Sequence, residues 1–355
     1  IYISFNYLIQ DFKSCDNIIF VRLTIEGLFM EELIHNIQEI LGIPAFLVNH
    51  CTFLPDYIRE ALISSINFIP WLYILYYGIE LLERYFMKNI HLFVKLVKRL
   101  GPLFGVAISV VPECGYQVIA STFYSRRMIS RGTLLAFFIS CSDDALPLLF
   151  MDLSKAPVII PIVLIKIVVG IIVAYLVDLA FIFQKNITED INAINTDLNE
   201  PACCHHRICT IENPPYWWMH PLTHTFNMFM FTFLCLAFFN MVIKGFDGVE
   251  SLSSFLMIDS QNQVIFGAIF GLIPNCVTSV FLALAYVKGL ISFPTLLAGL
   301  ITSTGLGLSA LLKRQRNNSD NILIIGILLA VGILVGLFVF YNMQIISMIQ
   351  SSFTK

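Results

Sequence analysis

Residues 157–183 read PVIIPIVLIKIVVGIIVAYLVDLAFIF, longer than the roughly 20 apolar residues a helix needs to cross a bilayer. Lipid offers no hydrogen bonds to a backbone, so such a run folds either as a helix or inside a closed barrel. Barrel strands alternate apolar and polar residues over about ten positions, and this stretch does not. Composition extends the reading to the whole chain: 57% of the 355 residues are hydrophobic and 13% charged, with a mean hydropathy of +0.81. These values exclude an ordinary soluble domain. The net charge of −3 carries little information, because in a membrane protein the placement of charge matters more than its sum. No basic nucleic-acid patch is present, and the expected localisation is a membrane crossed many times.

Two polar stretches interrupt this apolar background, PECG at 112–115 and SCSDDALP at 140–147. Both recur in altered form. FGVAISVVPECGYQV aligns without a gap on FGAIFGLIPNCVTSV, and identical residues 162 positions apart include Phe104/Phe266, Pro112/Pro274, Cys114/Cys276, Tyr124/Tyr286, Ser130/Ser292 and Thr133/Thr295. Shared Pro, Cys, Tyr and Thr in one register indicate duplication rather than a common apolar bias. The same offset carries a helix at about Ala61–Leu82 onto Leu222–Ile243, and Ile160–Phe181 onto Leu323–Tyr341.

The strongly basic stretches KNIHLFVKLVKR and SRRMISR flank the first broken segment. The positive-inside rule is satisfied when Gly101–Tyr124 dips in and returns as two half-helices of about 11 residues meeting near Pro112. Three crossings then remain per half, an odd number, so the second half is inverted. The expected fold is an all-α polytopic membrane protein of two inverted-topology repeats, each with three spanning helices and a re-entrant or broken helical hairpin. The expected organisation is an N-terminal segment 1–59, repeat one at 60–183, a Cys/His-rich cytoplasmic loop at 184–221, repeat two at 222–345 and a tail at 346–355. Met30 makes a more natural start than Ile1, so 1–29 read as upstream sequence. The opening residues lack the order of a cleavable signal peptide.

Inverted repeats with discontinuous helices in matching places point to a secondary transporter whose site lies where the halves meet. Glu113 and Cys114 mark one break, Asn275 and Cys276 its counterpart, and Asp143 and Asp144 the neighbouring one. A carboxylate at the bilayer centre costs about 2.5–3.5 kcal/mol, so these acids need a partner, a proton or a cation. Ser142, Gln117, Thr278 and Thr304, with Tyr116 and Ser121, are the polar groups expected to complete the shell. Oxygen ligands suit Mn²⁺, and thiolates shift preference toward Zn²⁺, Fe²⁺, Co²⁺ or a metalloid. The carboxylates would equally carry protons in an exchange cycle. The chain's nine cysteines do not form a secreted disulfide pattern. In the central loop Cys203, Cys204, His205, His206 and Cys209, with His220 and His224, form a second candidate metal site, although adjacent ligands are not zinc-finger spacing. Trp217 and Trp218 suit an interfacial anchor.

PECGYQVIASTFYSRRMISRGTLLAFFISCSDDALPLL, the Cys/His loop ending in HPLTHT, and ten hydrophobic segments resemble the ten-transmembrane heavy-metal exporter family, also described as manganese transporters or arsenic-efflux-like permeases. The resemblance covers Met30 to Ser347 and implies metal efflux across a prokaryotic plasma membrane. No GxxxxGK[ST] motif accompanies it, which disfavours a self-contained ATP-driven pump. The expected activity is secondary export of a divalent metal, Mn²⁺ first, by alternating access in exchange for protons, without a resident cofactor and not as an enzyme. Its partners are lipid, the metal substrate and the coupling proton, and an oligomer fits equally well. The rivals are arsenite or organoarsenical efflux and, from another class, an intramembrane hydrolase or thiol redox protein.

Overall fold

The structure, a computed structural model, describes residues 55–88, 100–110, 115–141, 144–149, 156–180, 219–246, 248, 251, 260–315 and 318–353. The chain divides into two compact units, Ile1–Asn67 and Phe68–Lys355. Of the first unit only residues 55–67 are described, where Arg59 bonds Asp56 at 2.8 Å and Ser65 Oγ donates to Ala61 O. The other described elements belong to the second unit, apart from helix α1, which begins in the first.

All regular elements among the described residues are helical. They are α1 (Asp56–Lys88), α2 (Pro102–Ser109), α3 (Gly115–Ser125), α4 (Arg131–Ser140), α5 (Ala145–Leu149), α6 (Ile159–Ala180), α7 (Met219–Gly245), α8 (Gln261–Gly271), α9 (Cys276–Val287), α10 (Phe293–Thr302), α11 (Gly305–Arg314) and α12 (Asn318–Phe353). Among the described residues six stretches are long and apolar enough to cross a bilayer: Asp56–Gly78, Ile159–Ala180, Pro221–Gly245, Asn318–Met343, and the interrupted pairs Arg131–Leu149 and Phe293–Arg314. The interrupted pairs are 94% and 78% buried, against 22–28% for the intact spans, so the broken helices form the interior and the intact ones face outward. Such outward faces carry Leu164, Leu176, Leu234 and Phe338, all exposed, as a lipid-facing surface requires.

The duplication reappears in the helix ends. Ser109 and Gly271, Ser125 and Val287, Arg131 and Phe293, and Ser140 and Thr302 end or begin equivalent helices 162 residues apart. It reappears in the packing too. α2 packs on α4 as α8 does on α10; α4 on α6 as α10 on α12; α2 on α6 as α8 on α12. Between the halves, α3 packs on α11 and α9 on α5, while α4 meets α10 and α12. Small residues permit these approaches. A Cβ on Gly170 would lie 2.2 Å from Ser140 Oγ, and one on its equivalent, Gly332, 2.4 Å from Thr302 Cγ2.

Helix starts are equally repetitive. Ser130 caps α4, its Oγ accepting from Thr133 N, and Ser292 precedes α10 with its Oγ 2.9 Å from Thr295 Oγ1. The side chains that anchor these caps differ. Asp178, near the end of α6, accepts from Gly132 N at 2.8 Å and from Ser130 Oγ at 2.7 Å. Gln263, in the first turn of α8, accepts from Ser292 N at 3.1 Å and Thr295 Oγ1 at 3.0 Å. Arg131, opening α4, pairs at 2.6 Å with Asp320 in the first turn of α12, and Tyr124 Oη also donates to that carboxylate. The end of α6 and the start of α12 thus both lie at the start of α4. Gly101, which precedes α2 with φ +50°, lies there as well, since a Cβ on it would be 3.6 Å from Thr133 Oγ1.

Candidate functional site

The site is built on the two interruptions. α4 is ten residues long with nine buried. It stops at Cys141, whose ψ of 130° leaves the helical region. The sequence continues as SDD, residue types that favour caps and turns over helix interiors. α5 resumes at Ala145 with Pro147 in its first turn, where the missing N–H has no helical partner to lose. In the other half α10 ends at Thr302, Ser303 and Thr304 are extended or irregular, and α11 begins at Gly305 with φ +46°, a conformation that favours glycine.

Asp144 lies directly before α5 and is 5% exposed. Tyr76 Oη, from the middle of α1, donates to its Oδ1 at 2.9 Å, and the Tyr76 ring lies 4.4 Å, centre to centre, from the imidazole of His224 in α7. The carboxylate before α5, the phenol of α1 and the imidazole of α7 therefore line up beside the first interruption, the phenol between the other two. His224 belongs to α7, so the structure places it here; His220 opens the same helix.

Gln117 on α3 is fully buried, and neither its amide oxygen nor its amide nitrogen has a hydrogen-bond partner among the described residues. The hydroxyl of Thr304, also fully buried, is in the same position. Gln117 faces α11, the helix that Thr304 precedes. Ser121 Oγ, one turn along α3, donates to Gly307 O at 2.8 Å, and a Cβ on Gly307 would stand 2.7 Å from Gln117 Cβ. A buried polar group left unpaired costs about 1–3 kcal/mol, and each such group in a native structure calls for an explanation.

Lys166, a third of the way along α6, was passed over in the apolar run that contains it. It is 3% exposed, and its ammonium donates to Cys141 O and, at 2.7 Å, to Leu300 O. One cation thereby joins the ends of α4 and α10. The available signal was a lysine within a span, which is rare and tied to function.

Several expected residues have other placements. Asn275 is exposed and its Oδ1 accepts from Val277 N at 3.2 Å, capping α9. Cys276 is half-buried at the first position of that helix, and Thr278 is buried with its hydroxyl 3.4 Å from Ile273 O. Ser121 and Tyr116 are buried. Glu113, Cys114, Ser142, Asp143, Cys203, Cys204, His205, His206, Cys209, Trp217 and Trp218 lie outside the described residues. Among the described residues no three His, Cys, Asp or Glu side chains cluster closely enough to hold a metal.

Residues 52–230 and 224–351 match one family model, described as "Putative, 10TM heavy-metal exporter". No curated protein matches the chain, and no solved structure does.

Proposed function

Because the chain belongs to the 10TM heavy-metal exporter family, we propose that it is a secondary transporter that exports a divalent transition metal, Mn²⁺ foremost, across a prokaryotic plasma membrane in exchange for protons. The observation that carries this reading is the meeting of two interrupted helices, α4–α5 and α10–α11, in the most buried part of the molecule. Irregular backbone at membrane depth is tolerated where it lines a cavity or is buried in protein, and transporters place substrate there. In this reading the amide of Gln117 and hydroxyl of Thr304, without a partner among the described residues, supply neutral oxygen donors beside that point, and Asp144 supplies charge. Glu113, Asp143, Cys114, Ser142, Asn275, Cys276 and Thr278 complete the proposed shell, and the Cys/His loop serves as a separate capture site.

Alternating access follows from halves of opposite sense. Support comes from the end of α6 and the start of its equivalent, α12, lying together at the start of α4, where Asp178 and Asp320 contact neighbouring residues. The Arg131–Asp320 pair, which joins a residue of SRRMISR to one of KRQRNNSD, supports one basic, cytoplasmic end. Gly101 beside Thr133, and Gln263 beside Ser292, fit segments that enter and leave on one side as re-entrant hairpins.

The test is uptake by proteoliposomes offered Mn²⁺, Fe²⁺, Zn²⁺, Co²⁺ and arsenite, with and without a pH gradient. The wild type should move Mn²⁺ faster under the gradient, and Asp143→Asn should abolish this. Loss of arsenite transport in Cys114→Ser and Cys276→Ser, with no Mn²⁺ flux in the wild type, would replace the reading with metalloid efflux. Flux indifferent to the gradient would remove proton exchange.

A further inference from the structure

Lys166 lies about 10 Å from the start of a helix about 33 Å long, at the usual rise of 1.5 Å per residue, and so well inside the apolar layer. A charged side chain is costly at that depth, and charges there are paired or held by backbone carbonyls. Its two described acceptors share one property. Leu300 O is among the last four carbonyls of α10, which have no partner within their own helix, and Cys141 O follows the last residue of α4. Both helices direct the negative end of their dipole at this point. Unwound carbonyls and half-helix C-termini are the groups with which discontinuous membrane helices bind monovalent coupling cations. The equivalent position in the second half is Leu328, buried and apolar, which supplies no cation.

We propose that the ammonium of Lys166 is a tethered cation filling a monovalent-cation site between the two interrupted helices, which frees the protein from any need for Na⁺ or K⁺ there. Shortening the side chain while leaving its space should therefore expose a site that a free alkali cation fills. This does not depend on which heavy metal is carried.

The experiment measures thermal unfolding of purified protein in detergent, without heavy metals, in NaCl, KCl or choline chloride at equal ionic strength. Lys166→Ala should unfold at lower temperature in choline chloride and recover saturably, by at least about 2 °C, with Na⁺ or K⁺. Lys166→Met, which fills the space without charge, should not respond, nor should the wild type. If Lys166→Ala is recovered monodisperse only from membranes solubilised in NaCl or KCl, the proposal is supported in the same way. A folded Lys166→Ala indifferent to the salt overturns it. So does loss of that variant in all three salts, or a wild type whose unfolding depends on the monovalent cation present.

Discussion

The phenol of Tyr76 reaches 68 residues along the chain to donate to Asp144 Oδ1 at 2.9 Å, and both groups are buried. A donor of this kind holds the carboxylate in one orientation, as outer-shell partners do for metal-binding acids. Tyr76→Phe keeps the ring against His224 and removes only the donor. We expect the apparent affinity for the transported metal to fall about tenfold, the lower bound for loss of such a partner. The measurement is the concentration dependence of metal uptake, and an unchanged half-saturation would show that Asp144 does not act on substrate.

Gln117 separates folding from transport. Its amide is buried without a partner among the described residues, so replacing it with Leu removes a desolvated polar group. Such a replacement is close to neutral or stabilising for folding. Gln117→Leu should therefore unfold at or above the wild-type temperature and yet transport metal more slowly. Lower stability with normal uptake would instead make this amide a structural group.

The Arg131–Asp320 pair fastens the start of α4 to the start of α12, its side chains only 14% and 4% exposed. Breaking one partner of a buried pair costs about 3–5 kcal/mol, because the other charge is left uncompensated. Asp320→Ala should lower the unfolding temperature markedly. Combining it with Arg131→Met should return part of the loss, and Tyr124→Phe alone should cost less than Asp320→Ala. A double variant no better than Asp320→Ala would mean that the attraction itself, rather than the abandoned charge, carries the stability.

The two glycine contacts should respond differently to repair. A Cβ on Gly170 would collide with Ser140 Oγ at 2.2 Å and stand 3.4 Å or more from its other close neighbours, whereas one on Gly332 would meet Thr302 Cγ2 at 2.4 Å and also Ala298 O at 3.0 Å. Overpacking of this kind costs about 1–3 kcal/mol. Ser140→Ala should largely rescue Gly170→Ala. Thr302→Ser should rescue Gly332→Ala only in part, because a backbone oxygen cannot be mutated away. Equal rescue, read as unfolding temperature, would contradict the packing described.

Much of the site's frame was legible in the chain. The Pro, Asp, Thr and Gly residues at 140–147 and 302–305 forbid a continuous helix by local rules, and both interruptions lie where those residues stand. Gln117 and Thr304 were selectable because they are polar groups next to such interruptions in an apolar background. Asn275 shows the limit. Beside a break, asparagine is both a ligand type and a preferred helix cap; its Oδ1 accepts from Val277 N, a partner that the motif alone does not specify.

By itself the sequence determined the membrane-spanning class, the interrupted helices and the duplication, because lipid enforces helices wherever about 20 apolar residues run together and because copied residues keep their spacing. Only the tertiary structure decided which groups face one another: Tyr76 with Asp144 and His224, Gln117 with the start of α11, and Lys166 with the ends of α4 and α10. Those partners come from different helices, up to 134 residues apart in the case of Lys166 and Leu300. Helical periodicity dictates which face a residue occupies, while the neighbour across that face depends on how separate helices pack.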